Sequence, residues 1–216
     1  MHFYIDIYKD KVWSKNTISK KDSERIILYC FLVFFEYKKL LKNSGLETVE
    51  DKVINSFDCV RMMKNIDLWE YVKQTTSLNV SSVYLNISYV NEKQIQEYNR
   101  QYRGKDAPTN VLSFTNEDTV EFLDFKGRNV ATTNAERKIL YLGDMILCYE
   151  KLLQEANEYN KTFNERLLHL FVHSIFHLFG LNHVEDAERQ IMESMEKVVL
   201  SILGVVDVYF YTEKKE

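Results

Sequence analysis

The sequence predicts one α+β domain in which a small mixed β-sheet packs against helices. Residues 82–90, SVYLNISYV, alternate apolar and polar side chains, which is typical of a half-buried strand. Residues 111–114 and 139–148 predict further strands joined by a loop rather than a long helix, which favours a mixed sheet over a purely parallel one. Residues 162–179 are mostly apolar and predict a buried central helix.

Composition limits the class of protein. A chain of 216 residues with 45% hydrophobic and 28% charged residues suits a single domain, 1–216, with a buried core. The net charge of −4 argues against a general nucleic-acid coat, which would be strongly basic, although it leaves room for a local basic groove. Three scattered cysteines without metal-ligand spacing favour a reducing, cytoplasmic compartment.

No segment of the sequence predicts a membrane or a secretory signal. The first ten residues carry acids and no apolar run. The longest apolar run, residues 26–35, is about half of what a transmembrane helix needs and predicts a buried helix instead. We therefore expect no membrane association.

The first part of the chain, residues 1–81, predicts a strand followed by helices. Residues 3–7 alternate as a short strand does. A helix is expected over 23–42 with Ser23 as its N-cap, and further helical structure over 47–77.

The following elements are bounded by turn and capping signals. Asn91 predicts a capping-box helix start, and residues 103–108 predict a turn-rich loop. Residues 116–137 are polar and aperiodic, so a loop is expected there. Residues 139–148 predict a strand pair or one bulged strand, with Gly143 at the irregularity. The final helices are expected over residues 150–160 and from about residue 185 to residue 204.

Three of the five histidines lie in one short segment, HSIFHLFGLNH. His173 and His177 are four residues apart on a predicted helix, so their Cβ atoms lie about 5–6 Å apart on one face. Gly180 lets the helix end in the left-handed conformation, after which the chain can bring His183 to the same point. The spacing therefore predicts three ligands of one metal ion; three unrelated core or surface histidines are the alternative.

Three imidazole ligands indicate a catalytic zinc site that binds one Zn²⁺ ion. They leave a fourth coordination position open, where a water molecule can be activated for attack. Other transition metals accept the same ligands, so zinc is the favoured ion and not the only possible one. His169 lies about 12 Å along the helix axis from His177, too far to share the ion, and is expected on the surface or in support of a ligand.

Zinc peptidases are the first alternative that this spacing raises. Enzymes with the same histidine spacing place a glutamate directly after the first histidine, as general base. Here that position is Ser174, which is too short and too weakly basic for the role. A peptidase is therefore disfavoured.

A second dense segment, NRQYRGKDAPTNVLSF, contains Arg103. The planar, permanently charged guanidinium suits phosphate oxygens. There is an alternative that needs no substrate. An arginine is favourable at the C-terminal end of a helix dipole, and Arg103 could also form a salt bridge with Asp106 in the loop.

Together these segments resemble the YbeY family of endoribonucleases, which are rRNA maturation factors. The resemblance rests on Asn99–Phe114, Leu142–Cys148 and the histidine motif, and it covers residues 82–210. It implies that His173, His177 and His183 bind zinc and that Arg103 takes part in RNA cleavage.

The chain departs from the family pattern at several positions. Ser174 replaces the usual glycine, Phe176 a leucine, and Leu181-Asn182 a Tyr-Asp pair. None of these changes removes a ligand, although loss of the aspartate before His183 could weaken support of the metal site. Residues 47–77 predict an extra N-terminal helix, which the family usually lacks.

Three further residues are candidates for substrate binding or for support of the metal ligands. Lys105 could line an RNA groove, Ser113 could offer a hydroxyl near the site, and Asp144 could support a ligand. Ordinary surface solvation, local hydrogen bonding and loop capping explain them equally well.

The resemblance implies a zinc-dependent, single-strand-specific endoribonuclease of rRNA (16S-type 3′ end) maturation and small-subunit ribosome quality control. The expected partners are single-stranded RNA, the rRNA precursor, and the small ribosomal subunit or its assembly factors. Two alternatives stay open: a non-catalytic assembly factor with a structural zinc site and, less favoured, a zinc peptidase or other hydrolase.

Overall fold

The computed structural model describes residues 2–13, 16–43, 70–72, 80–123, 139–206 and 209. These residues form an α+β fold with a four-stranded mixed sheet, as the sequence predicts. In the described part of the chain, no helix is long and apolar enough to cross a membrane. Most of the helical segment expected at 47–77 lies outside the described residues, and only residues 70–72 are seen, as helix.

The sheet has the strand order β1-β2-β4-β3. Its first three strands run parallel, and β3 pairs antiparallel with β4 at the edge. The strands are β1 (His2–Lys9), β2 (Ser82–Val90), β3 (Val111–Thr115) and β4 (Ile139–Cys148).

Helices cover one face of this sheet and part of the other. In chain order they are α1 (Lys20–Asn43), α2 (Glu92–Arg103), α3 (Glu117–Leu123), α4 (Tyr149–Glu158), α5 (Phe163–Leu178) and α6 (Asp186–Ile202). Helices α1, α5 and α6 share the main core with one face of the sheet, and α5 lies at its centre. A smaller cluster on the other face holds α2 against β3 and β4 through Ile95, Leu112 and Ile146.

Two expectations about local structure are wrong. The N-terminal cap of α1 is Ser19 rather than Ser23: the Ser19 hydroxyl accepts a hydrogen bond from the Asp22 backbone N–H at 3.1 Å and donates to the Asp22 carboxylate. Ser23 is fully buried inside the helix and donates to the Ser19 carbonyl. Residues 117–123, expected in a loop, form α3. Residues 124–138 of that expected loop lie outside the described residues.

The strand β4 is a single bulged strand, one of the two forms expected. Tyr84 pairs with Tyr141 but Leu85 pairs with Gly143, which leaves Leu142 as the extra residue. Gly143 has φ 127°, and a Cβ atom there would lie 2.0 Å from the Phe114 carbonyl oxygen. Only glycine allows this approach of β3 to β4.

The sheet face opposite α5 exposes a ladder of tyrosine rings. The ring centroids of Tyr4 and Tyr84 lie 4.5 Å apart, and those of Tyr84 and Tyr141 lie 4.8 Å apart. Cross-strand stacking of this kind stabilises the pairing of β1, β2 and β4.

Candidate metal centre

Helix α5 positions two of the three histidines. It begins at a complete capping box, in which the Thr162 side chain accepts from the Glu165 backbone N–H and the Glu165 side chain accepts from the Thr162 backbone N–H. His173 and His177 follow one turn apart near the C-terminal end. Because most of the helix is buried, these two side chains are held on a rigid element.

The end of α5 brings in the third histidine. Gly180 has φ 88°, its N–H donates to the His177 carbonyl at 2.8 Å, and the Leu181 N–H donates to the Phe176 carbonyl at 3.1 Å. These two bonds form a Schellman motif, which turns the chain back across the helix end. His183 follows this turn, so the mechanical role expected for Gly180 is seen in the structure.

The three histidines lie together. One ring nitrogen from each of His173, His177 and His183 lies within 4.8 Å of the others. The Nε2 atoms of His173 and His177 are 3.0 Å apart. His183 is exposed, and its ring centroid lies 5.0 Å from that of His177 and 5.5 Å from that of His173.

The hydrogen bonds of the two helical histidines direct their Nε2 lone pairs toward one another. The Nδ1–H of His173 donates to the Glu196 carboxylate at 2.8 Å, and the Nδ1–H of His177 donates to the Leu181 carbonyl at 2.9 Å. In these neutral tautomers both Nε2 atoms are hydrogen-bond acceptors. Two acceptors 3.0 Å apart repel unless a cation lies between or beside them.

The donor set therefore fits a divalent metal ion. Three imidazole nitrogens with one open side suit zinc. Burial lowers the pKa of His177 to about 4, helped by the repulsion that its proton would meet whenever His173 is also protonated. His177 is consequently neutral near pH 7, the state in which imidazole binds a metal.

Glu196 is a site residue that we did not expect from the sequence. Its side chain is 1% exposed and lies on α6, where Met192, Met195 and Val199 face the core. Burial alone raises the pKa of this carboxyl, but the hydrogen bonds from His169 and His173 outweigh burial and lower it. A glutamate on the apolar face of a predicted helix was the signal that could have indicated it.

His169 supports the site instead of lying on the surface. Its Nδ1 accepts a hydrogen bond from Arg166 at 3.0 Å, and its Nε2–H donates to Glu196 at 3.2 Å. Arg166 also forms an ion pair with Glu155 at 2.7 Å, and Glu155 accepts from the Asn110 side chain at 2.9 Å. A largely buried polar network thus runs from His173 to the loop before β3.

An open cavity of about 280 Å³ lies beside the histidines. Arg189 and Glu193 supply charged side chains to it, and Asn110 brings in the loop between α2 and β3. The cavity is lined by Asn110, Arg166, His169, Leu170, His173, His183, Arg189, Met192, Glu193, Glu196 and Tyr209.

The remaining candidate residues lie at different places. Arg103 ends α2, is exposed and is not among the residues that line the cavity. Lys105 is exposed in the loop that follows. Ser113 pairs with the buried Met145 and so lies on the sheet face that carries α5. Asp144 is exposed on the opposite face, so the structure does not bring it together with the histidines.

A hydrogen bond to a neighbouring strand accounts for an aspartate at position 144 without any role at the metal. The Asn86 side-chain amide, on the adjacent strand β2, donates to the Asp144 carboxylate at 2.9 Å. This bond crosses the solvated sheet face, on the side away from α5.

Similar proteins are known. A family profile described as Endoribonuclease YbeY matches residues 48–204. A relative named Endoribonuclease YbeY from Francisella philomiragia subsp. philomiragia is 34% identical over 137 residues, which cover 62% of this chain and 78% of the relative. A relative of the same name from Francisella tularensis subsp. novicida is also 34% identical over 137 residues, covering 63% of this chain and 78% of the relative.

One solved structure is also similar. It is the solution structure of a Thermotoga maritima protein, with 21% sequence identity, a TM-score of 0.38, and coverage of 80% of this chain and 96% of that one.

Proposed function

Because this chain belongs to the YbeY endoribonuclease family, we propose that it is a zinc-dependent endoribonuclease that cuts single-stranded RNA. The observation that carries the proposal is the convergence of His173, His177 and His183 beside an open cavity. The expected substrate is an rRNA precursor, cut at a 16S-type 3′ end. The protein would also act in small-subunit quality control, in the cytoplasm. Partners would be the small ribosomal subunit or its assembly factors.

His173, His177 and His183 would hold one zinc ion. A divalent ion at such a site supplies Lewis-acid chemistry, which stabilises negative charge on phosphoryl oxygens and lowers the pKa of water. The chain supplies the orientation: Glu196 and the Leu181 carbonyl hold the two helical imidazoles by their Nδ1–H groups. The open cavity gives an RNA phosphate access to the exposed side of the cluster.

Arg103 is the proposed residue that stabilises charge on the phosphoryl oxygens. It is exposed, and the loop that begins at Gly104 leads within a few residues to Asn110 at the cavity. A guanidinium at the start of this loop suits the phosphate backbone of an RNA strand that extends beyond the cavity. Arg189, which is paired with Asp186, is a further cation that lines the cavity, as His183 does.

The supporting roles of the other candidates differ in strength. Lys105, exposed two residues after Arg103, is a proposed contact to the RNA backbone. Ser113 lies on the sheet face that carries α5. Its proposed role is a local structural one on that side of the sheet. For Asp144 only an indirect role remains, through the Asn86 bond and the bulge beside it.

The structure adds an argument against a zinc peptidase. Ser174, which occupies the position of the peptidase base, is fully buried. Within the described residues, its hydroxyl has no hydrogen-bond partner. A buried neutral hydroxyl cannot activate water at the metal.

The test is cleavage of an end-labelled single-stranded RNA by zinc-loaded protein. Wild type, Arg103→Ala, Arg189→Ala and His177→Ala are compared, with Arg100→Ala as the matched control. Arg100 is exposed on the same helix as Arg103 and is paired with Glu97 at 2.6 Å. We expect wild type and Arg100→Ala to cut alike, Arg103→Ala to bind zinc but lose cleavage, and His177→Ala to lose both.

Other results would change the role of Arg103 or the proposed function. If Arg189→Ala loses cleavage and Arg103→Ala does not, Arg189 rather than Arg103 stabilises the charge on the phosphoryl oxygens. Loss of zinc from Arg103→Ala contradicts a role on phosphate, because that residue is not a ligand. If the zinc-loaded wild type binds RNA or ribosomal particles but does not cut, the non-catalytic assembly factor is the better proposal.

A further inference from the structure

We propose that Glu196 is the positioning residue of the metal centre, holding His173 in the tautomer and orientation that present its Nε2 to the ion. The inference rests on the proposed function because it concerns the same zinc site. Glu196 lies 23 residues from His173 in sequence, and its Oε1 atom receives the Nδ1–H of His173 at 2.8 Å. Its side chain is almost fully buried, so water does not compete for that bond.

A buried carboxylate requires a reason. Removing an ionised group from water is strongly unfavourable unless partners replace the lost solvation. Met192, Met195 and Val199 pack around the same face of α6, where an apolar residue would avoid this cost. The hydrogen-bond donors around its carboxylate therefore favour a glutamate at position 196.

The two carboxylate oxygens have separate tasks. Oε1 faces His173, the ligand. Oε2 receives hydrogen bonds from the Nε2–H of His169 at 3.2 Å and from the hydroxyl of Tyr209. One oxygen is thus anchored by residues that do not bind the metal, while the other orients a residue that does.

Arg166 determines the tautomer of His169. An arginine has no acceptor, so its 3.0 Å contact with the Nδ1 of His169 means that Nδ1 accepts the hydrogen bond. The ring proton is then on Nε2, where it points to Glu196. Glu155 holds the other side of Arg166 and is itself held by Asn110. Every donor and acceptor from Asn110 to His173 is thereby assigned.

Tyr209 is a further donor to Glu196. The family profile ends at residue 204, so this donor to Glu196 comes from outside the matched region. Its ring also contacts His169, edge-on with the centroids 5.1 Å apart, and lines the cavity. Tyr209 therefore contributes to the support of the metal centre.

The experiment measures the zinc dissociation constant of the full chain by competition with a chromophoric chelator. Wild type is compared with Glu196→Ala, Glu196→Gln, Tyr209→Phe and the control Glu193→Gln. Glu193 lies on the same helix and lines the same cavity, so it serves as a matched control for the loss of a carboxylate. Loss of a residue that orients a ligand typically weakens metal binding about 10–100-fold, which we expect for Glu196→Ala.

The other variants separate orientation from general damage. Glu196→Gln should also weaken binding, because an amide cannot accept from His173 and from both donors at Oε2. Tyr209→Phe should weaken it by less, and Glu193→Gln should leave it unchanged. In histidine ¹⁵N spectra of the zinc-loaded proteins, we expect His173 to be protonated at Nδ1 in wild type and this signal to change in Glu196→Gln.

Two results overturn the inference, and a third concerns the proposed function instead. Folded Glu196→Ala or Glu196→Gln with wild-type zinc affinity and an unchanged His173 spectrum shows that Glu196 does not position the ligand. Equal weakening by Glu193→Gln shows that any loss of charge in the cavity suffices. Failure of wild type itself to bind zinc contradicts the metal centre. If Glu196→Ala does not fold, as judged by circular dichroism, the Glu196→Gln measurement decides.

Discussion

The Nε2 atoms of His173 and His177 lie 3.0 Å apart, and the Nδ1 atom of each ring is held in a hydrogen bond of its own. Glu196 holds the first ring and the Leu181 carbonyl holds the second, each through Nδ1–H. Two lone pairs are therefore directed at the same small volume. Such an arrangement is unfavourable alone and favourable around a cation, which is why the site fits a metal.

Removal of one of these two rings should remove the metal. In His177→Ala, two imidazoles remain, and we expect the zinc content after dialysis to fall from about one ion per chain to near zero. Plasma mass spectrometry of the dialysed protein measures this. His2→Ala, which changes an exposed histidine on β1, is the control and should keep its zinc. Unchanged zinc in His177→Ala would falsify the ligand set.

Two glycines should respond very differently to alanine. Gly104 has φ 68° but nothing within 4 Å of a new Cβ, so Gly104→Ala should cost only the left-handed backbone strain of about 1–2 kcal/mol. Gly143→Ala adds an overlap with the Phe114 carbonyl oxygen and should lower the free energy of unfolding by about 3 kcal/mol or more. Urea denaturation of the two variants beside wild type measures the difference. Equal losses would show that the contact between β3 and β4 relaxes easily.

The metal-free protein should lose stability as the pH falls below the ordinary histidine pKa of 6.5. Burial lowers the pKa of His169 and, to about 4, that of His177. The unfolded chain then takes up protons that the folded chain resists, so the free energy of unfolding falls as the pH drops from about 6.5, the ordinary pKa, toward about 4, the lowered pKa of His177. Arg166 and His173 oppose a proton on His169, whereas Glu196 favours one without reversing the shift.

Chemical denaturation at several pH values tests this dependence. His169→Gln, which keeps an acceptor for Arg166 and a donor for Glu196, should show a shallower fall than wild type. A stability that is constant over this range, or that rises on acidification, would contradict neutral buried histidines.

Two cysteines should resist alkylation in the folded protein. Burial raises the pKa of the Cys148 thiol to about 12 and that of Cys30 well above its usual value. Since the thiolate is the reactive form, iodoacetamide at about pH 8 should leave both unmodified until the protein is denatured. Peptide mapping by mass spectrometry before and after denaturation gives the result residue by residue. Rapid labelling of Cys148 in the native protein would show that the end of β4 opens to solvent.

Interactions between residues close in sequence account for most of what was predicted correctly. The alternation of β2 and the capping box at Asn91 involve neighbours within four positions, and both are seen in the structure. The same holds for the turn at Gly180. The cap at Ser23 was wrong although it too is local, because Ser19 offers an equally good cap one turn earlier. Helix α3 was missed because its seven residues are too short to show a helical period.

The sequence by itself determined the α+β class, the approach of His173, His177 and His183, and the resemblance from which the family was expected. For the three histidines, spacing along one helix and one glycine turn suffice. Only the tertiary structure decided that Glu196 orients His173, that His169 is buried in its support, and that Asp144 lies on the far face of the sheet. These relations join separate elements, and they depend on how α6 and the sheet pack against α5 rather than on any local pattern.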